Sequence, residues 1–203
     1  MTTPPTLDRA ALRSDLRARR RALPAGERIA GAEQLAARMS ALPPVPDGAH
    51  VAGYWAMDGE IALHAWQLRL PRSVTYCLPI LHDDGRLRFA PWRPGEPLAP
   101  NRYGIPEPVV PPGVELDGAA MSLVVLPLVG FDARGHRLGM GAGWYDRTFA
   151  FRLARPAPPR LVGVAFAVQQ VEALPTEPWD VPLDAVCTER DTFLFEATEI
   201  LDA

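Results

Sequence analysis

The sequence predicts an α/β fold: a single three-layer α/β/α sandwich with a mainly parallel central sheet, two N-terminal helices and a long proline-rich loop. Three observations carry that prediction. Segments with helical periodicity alternate with strand-like segments. Residues 74–81, 123–127 and 161–167 are largely or continuously apolar, as strands covered on both faces are. The 203 residues contain no linker-like stretch and match the size of one domain. One domain is therefore expected over 1–203, with 1–6 as a flexible tail and 7–196 as the folded body.

Each element has a local reason. In residues 7–23, Leu7, Ala11, Leu12, Leu16 and Leu23 recur at mostly helical spacing among arginines, which makes a basic amphipathic helix that Pro24 interrupts. A second helix is predicted over 25–42 from Ile29, Leu35, Ala36 and Met39, and Pro43-Pro44 stops it. Residues 50–56 read as a strand and 60–70 as a short helix closed by Pro71. A buried strand over 74–81 and an alternating one over 87–92 flank the turn Asp83-Asp84-Gly85. Seven prolines between 94 and 113 exclude a helix or a central strand there. Such long ordered loops are often functional. Strands at 123–127 and 161–167 bracket a helix at 144–154, and short strands at 184–187 and 192–196 close the sheet.

Composition narrows the chemistry. All 21 basic residues are arginine, so a lysine-dependent phosphate loop, a lysine Schiff base and a lysine nucleophile are excluded. The net charge of −3 conceals an asymmetry: residues 1–42 hold eight arginines against four acids, and the rest hold thirteen against twenty. A net-acidic body argues against nucleic-acid or anionic-membrane affinity. The longest strongly apolar stretch, 121–131, is about half of the ~20 residues a membrane span needs. Two cysteines, Cys77 and Cys187, are too few for a disulfide scaffold and are expected as reduced core residues. The N-terminus lacks the pattern of a signal peptide, so a soluble, cytoplasmic monomer is expected.

The chemistry concentrates in one stretch. Five of the 16 glycines fall between 130 and 143, after a buried strand and before a helix. Gly139, Gly141 and Gly143 let the main chain turn tightly and present N–H groups to an anion. Arg134 and Arg137 suit phosphate oxygens. Asp146 suits Mg²⁺, which binds one or two carboxylates together with substrate phosphates. The spacing is not the dinucleotide fingerprint Gly-x-Gly-x-x-Gly. Plain structural roles remain open for the same residues: a helix-start acid for Asp146 and Glu60, strand core for Trp55, helix surface for Arg9 and Arg13, and a polar turn for Asp180.

The run Arg137-Leu-Gly-Met-Gly-Ala-Gly-Trp-Tyr-Asp-Arg147, preceded by Pro127-Leu-Val-Gly-Phe-Asp132, resembles the signature of the 5-formyltetrahydrofolate cyclo-ligases. Arg9-Ala-Ala-Leu-Arg13, the strand running from Tyr54 to Glu60, Asn101-x-x-Gly-Ile-Pro-Glu-Pro108 and Asp180-x-x-x-Asp184 agree in order, so the similarity extends over about 7–196. Three positions depart from the family pattern. Arg9 stands where lysine is usual, Ala142 where glycine or lysine is typical, and Trp144 where tyrosine is more common.

The resemblance implies ATP- and Mg²⁺-dependent closure of 5-formyltetrahydrofolate to 5,10-methenyltetrahydrofolate, with ADP and phosphate released, through a phosphorylated formyl group. It implies that Arg9, Arg13 and the segment Arg137, Leu138, Gly139, Met140, Gly141, Ala142, Gly143, Trp144 and Tyr145 hold the nucleotide. Asp146 and Asp180 would hold the metal, and Arg137 and Asp146 would be catalytic. Trp55, Glu60, Met140, Gly141, Ala142, Gly143 and Trp144 would meet the reduced folate. A non-catalytic nucleotide or folate binder, or another enzyme on a similar scaffold such as a sugar-phosphate isomerase or a CoA-transferase-like protein, are the competing readings.

Overall fold

A computed structural model describes residues 8–195. The expected tail at 1–6, Leu7 and the end of the last expected strand lie outside the described residues. Helix α1 (Arg9–Arg21) is capped by Asp8, whose carboxylate accepts from the Ala10 N–H at 2.9 Å, and α2 (Ala25–Ser40) follows Pro24. Then come β1 (His50–Ala52), the single-turn α3 (His64–Gln67), β2 (Thr75–Leu81) and β3 (Leu87–Pro91). The hairpin β4 (Leu98–Pro100) and β5 (Pro106–Pro108) leads to β6 (Leu123–Pro127). A small hairpin, β7 (Gly130–Phe131) and β8 (Arg137–Leu138), precedes α4 (Trp144–Phe149). Strands β9 (Arg160–Val164), β10 (Ala185–Cys187) and β11 (Thr192–Leu194) complete the chain.

The seven-stranded sheet has the order β11-β10-β9-β6-β1-β2-β3. Its five inner strands pair in parallel, and β3 and β11 add antiparallel edges. The mainly parallel sandwich is as expected. Strand periodicity explains the layers, because successive side chains leave opposite faces. Val51, Leu123, Val125, Val162, Val164, Ala185 and Cys187 face α2 and α3, where Leu35, Met39 and Trp66 pack on them. Ala52, Val124, Leu126, Leu161 and Val186 face the other way, onto Phe149 of α4. Both cysteines are buried and free, and burial pushes the Cys77 thiol up to about 12. Helix α1 docks by Leu16 on Val129, Leu138 and Leu174, just beyond the end of β6. Among the described residues no helix is long and apolar enough to cross a membrane.

Several elements are shorter than periodicity predicts. Strand β1 ends at Ala52 rather than 56, and the helix expected from Glu60 begins only at His64. The residues between form a turn in which Asp58 and Gly59 take left-handed φ values of 53° and 77°. The helix expected to run to 154 is α-helical only to Phe149 and ends as a 3-10 turn, Ala150–Leu153. The strand expected over 161–167 stops at Val164. The proline-rich loop contains the β4–β5 hairpin, a two-stranded ribbon outside the main sheet, where proline is tolerated.

Among the parallel strands the order is β2-β1-β6-β9-β10, so the chain moves one way from β1 to β2 and the other way to β6. Ligands in open α/β sheets bind at such a reversal, beyond the carboxyl ends of the strands. Here the segments leaving β1 and β6 emerge side by side. They carry the Trp55–Glu60 turn and the glycine-rich loop.

Candidate active site

The glycine-rich loop is held by its carbonyl groups. Arg13 Nε, from α1, donates to the Gly139 carbonyl at 2.9 Å, and Arg147 Nη1 donates to the Ala142 carbonyl at 2.8 Å. Arg147 Nε holds the Gly85 carbonyl at 2.8 Å, which ties the loop to the β2–β3 turn. The main-chain N–H groups from Gly139 to Gly143 donate to no other group among the described residues. Tying back the carbonyls therefore leaves a row of unspent donors, the polarity an anion requires.

Glycine is needed at two of the three positions. Gly141 and Gly143 have φ of 95° and 65°, whereas Gly139 has neither a left-handed φ nor any atom within 4 Å of where a Cβ would stand. A Cβ on Gly141 would lie 3.3 Å from the Arg13 guanidinium carbon. Ala142 is not in the left-handed region, so its departure from the family pattern carries no backbone strain. Helix α4 has only six residues, so the anion-binding character rests on the loop and its arginines rather than on a helix dipole.

Three arginines stand near the loop, Arg9 and Arg13 on α1 and Arg137 on β8. Arg9 and Arg13 lie close enough for Arg9 to lower the proton affinity of Arg13, after the larger effect of burial. The Arg9 Nε is buried without a partner, and its other nitrogens stand 3.9 Å from Glu177 and from Asp180. Arg137 donates to the Asp146 carboxylate and to the Val181 carbonyl, and the Val181 N–H donates to Asp146 at 3.2 Å. These bonds lock α4 to the turn that carries Asp180. Burial lowers the proton affinity of Arg137, and Asp146 and Asp180 oppose that shift, so both carboxylates act on one guanidinium.

Asp146 and Asp180 are the two carboxylates that act on Arg137. Asp146 spends Oδ1 on Arg137 and Val181, and Asp180 spends Oδ2 on the Glu177 N–H at 2.9 Å. Each has a second oxygen. Among the described residues no group of three or more His, Cys, Asp or Glu gathers into a protein-only metal cage. Two carboxylates beside an anion cradle fit Mg²⁺, which retains water and takes its remaining ligands from phosphates.

Across the cleft, Glu60 closes its own turn: its N–H donates to the Met57 carbonyl at 2.9 Å, and its Oε2 accepts the Met57 N–H at 3.0 Å. Burial raises the Glu60 pKa, opposed by that Met57 bond and by Arg20, whose Nη2 stands 3.6 Å away. Trp55 is 37 % exposed and packs edge-on against Trp92 with ring centroids 5.7 Å apart. It is a half-open aromatic wall rather than core. Burial raises the Tyr145 pKa, and the Glu60 charge adds to that shift.

Of the residues singled out from the sequence, Arg13 touches the loop at Gly139, Arg9 neighbours Arg13 and Asp180, Arg137 joins Asp146, and Trp55 and Glu60 lie in the segment after β1, whereas the Leu138 side chain is buried against Leu16. Arg134 is the exception among the arginines considered: it sits on the β7–β8 turn, and its nearest partner is the buried Asp132 at 3.4 Å. Asp132 also accepts from the Leu174 N–H and faces His136 Nδ1 at 2.9 Å, so His136 has a structural partner and stays outside the cleft. Arg20 is the residue that sequence patterns did not single out. It is fully buried, and it donates to the Asp58 carbonyl at 2.9 Å and to the Asp58 carboxylate at 2.9 Å. Arg17 and Arg21 also hold Asp58, whose pKa burial would raise but whose three arginine bonds lower. A signal is present in the chain, because Arg20 stands one helical turn after the buried Leu16.

A separate cleft of about 660 Å³ lies between α3, β3 and the proline-rich segment, lined by Leu70, Arg72, Trp92, Arg93 and Val109. Its Trp92 is the residue that Trp55 packs against.

Comparison with known proteins agrees along the chain. Residues 5–189 match the model of the 5-formyltetrahydrofolate cyclo-ligase family. The 5-formyltetrahydrofolate cyclo-ligase of Escherichia coli (strain K12) is 39 % identical over 176 residues, covering 85 % of this chain and 96 % of that protein. The corresponding protein of Mycolicibacterium smegmatis is 31 % identical over 188 residues, covering 88 % and 92 %. The solved structure of Aquifex aeolicus 5,10-methenyltetrahydrofolate synthetase superposes with a TM-score of 0.78 at 27 % identity and covers 96 % of each chain. The strand order, the glycine-rich loop and these similarities agree: the chain belongs to the 5-formyltetrahydrofolate cyclo-ligase family and is an enzyme.

Proposed function

We propose that this enzyme closes 5-formyltetrahydrofolate to 5,10-methenyltetrahydrofolate at the expense of ATP, with Mg²⁺, releasing ADP and phosphate. One observation carries the reading. The N–H groups of Gly139 to Gly143 are unspent, Arg13 grips the loop at Gly139 with Arg9 beside it, and Arg137, at the start of the same segment, holds Asp146.

A formyl amide oxygen is a poor leaving group. Its attack on the γ-phosphorus of ATP forms the new P–O bond as ADP leaves, and converts the oxygen into a phosphate ester of an imidate. The second folate nitrogen then attacks the formyl carbon and releases its proton to solvent, and phosphate departs with the original formyl oxygen, leaving the methenyl bridge. Both steps need alignment and neutralisation of charge more than a strong acid or base. Arg9, Arg13 and the loop N–H groups hold the phosphates, and Arg137 stabilises charge on the transferred group. Asp146 and Asp180 would hold Mg²⁺, which supplies charge neutralisation between phosphate oxygens when bound. Glu60 accepts the adjacent N–H donors of the pterin edge, and Trp55 covers a ring face. The segment from Met140 to Trp144 faces both substrates where they meet.

The test mixes pure protein, 5-formyltetrahydrofolate and Mg²⁺ with and without ATP, and follows the near-ultraviolet chromophore of the methenyl product. Product formation that requires ATP is expected. Tight folate or nucleotide binding without turnover would replace this reading with that of a non-catalytic binder.

A further inference from the structure

We propose that Arg102, at the tip of the proline-rich hairpin, binds the glutamyl carboxylate of the reduced folate; this rests on the folate reading above. The residue lies outside the glycine-rich motif and outside both carboxylate clusters. Its guanidinium stacks on the ring of Trp144, 5.2 Å from the ring centroid, and on the ring of Tyr103 at 5.4 Å. Arg147 lies over the same indole at 5.3 Å, but its Nε and Nη1 are spent on the Gly85 and Ala142 carbonyls. Arg102 has aromatic contacts and no carboxylate partner among the described residues. A guanidinium stacked on a ring keeps its in-plane N–H donors available for a bidentate carboxylate.

The tip that presents it is built. Asn101 Oδ1 accepts from the Tyr103 N–H at 2.8 Å and the Ile105 N–H at 3.1 Å, and Asn101 Nδ2 donates to Glu107 at 2.8 Å. Glu107 accepts in turn from the Leu81 N–H, at the end of β2, at 2.8 Å. Arg102 is therefore carried on a hairpin fastened to β2 and held over Trp144.

That side selects the anion. Across the sheet edge the strands run β6, β1, β2. The phosphate loop follows β6, the Glu60 turn follows β1, and the hairpin is fastened to β2. Trp55 and Trp92 continue the wall between them, and Trp92 Nε1 donates to the Glu96 carbonyl at the base of the hairpin. A folate lying along this line, with its pterin at Glu60, extends its benzoylglutamate end toward β2. The glutamyl carboxylates are the anionic groups of that molecule. The nucleotide phosphates are assigned to other arginines, Arg9 and Arg13 on α1 and Arg137 on β8.

The experiment compares Arg102→Ala and Arg102→Lys with the parent enzyme on 5-formyltetrahydrofolate and on 5-formyltetrahydropteroate, which lacks the glutamate. Both KM values and equilibrium folate binding, by quenching of tryptophan fluorescence, are measured. Arg102→Ala should raise the KM and Kd for the glutamate-bearing substrate about tenfold. The KM for ATP, kcat and all values for the pteroate should stay unchanged, and Arg102→Lys should recover part of the loss. An equal effect on both pterins, a rise confined to ATP, or no effect overturns the assignment. If the parent enzyme binds neither pterin, the folate reading and this one fail together.

Discussion

The glycine-rich loop and the proline-rich hairpin meet over Trp144, and they are made rigid by opposite means. The loop between Gly139 and Gly143 has a backbone that few side chains restrain, so its shape is imposed from outside by Arg13 and Arg147 on its carbonyls. The hairpin has prolines that fix φ and a polar residue that bonds its own turn, so most of its shape is internal. An anion cradle needs N–H groups free to turn toward a ligand, which an internally bonded turn would consume. A platform for one side chain needs no free donors.

Four experiments break or sharpen that contrast. Asp146→Ala has the largest expected effect: activity falls by about a thousandfold or more, from loss of charge stabilisation and of the lock to Arg137 and Val181. Circular dichroism should show the fold intact. Turnover near the parent level would remove Asp146 from the chemistry. Next is a pair within the loop. Gly141→Ala forces a side chain to φ 95° against Arg13 and should cost about 1–2 kcal/mol with at least a tenfold loss of activity, whereas Gly139→Ala should stay within about 0.5 kcal/mol of the parent. Equal melting temperatures for the two variants would contradict the geometry.

In the hairpin, Asn101→Ala deletes the acceptor of two turn N–H groups and the donor to Glu107. A local loss of about 1–3 kcal/mol is expected. It should speed amide exchange at Tyr103 and Ile105 while the melting temperature changes little, and a global drop in protection would show that the hairpin is no independent unit. The smallest effect is the pH response of Glu60. Burial raises its pKa, so the protonated form persists above the usual carboxylate range. Folate affinity should then rise as pH increases through that raised value and level off above it. Glu60→Gln should bind weakly without that pH dependence, and an unchanged pH profile in the variant would assign the titration elsewhere.

Much of the architecture is legible in the residues alone. Binary pattern places the buried strands because a parallel sheet covered on both faces leaves continuous apolar runs, and 123–127 matches β6 residue for residue. Element ends are harder to read. Nothing local distinguishes the end of β1 at Ala52 from the apolar residues after it, and the departure there is driven by Asp58, held in a left-handed turn by arginines 37 to 41 residues away in the chain. Arg20 shows the same limit. Its one-turn spacing from Leu16 is readable, but its burial depends on a carboxylate that only folding delivers.

By itself, the sequence determined the order of the two N-terminal helices and the strands of the main sheet, the absence of lysine, and a glycine-rich motif whose residue types suit an anion. Those are properties of neighbouring residues, set by periodicity, proline and glycine geometry, and side-chain charge. Tertiary structure decided which arginine meets which partner. Of the 21, Arg13 grips the loop, Arg137 joins Asp146 to the Asp180 turn, Arg20 disappears beneath Glu60, and Arg102 is left on an indole. The physical reason is that a guanidinium's role depends on burial and on the partner within a few ångströms, and both come from segments that meet only when the sheet has formed.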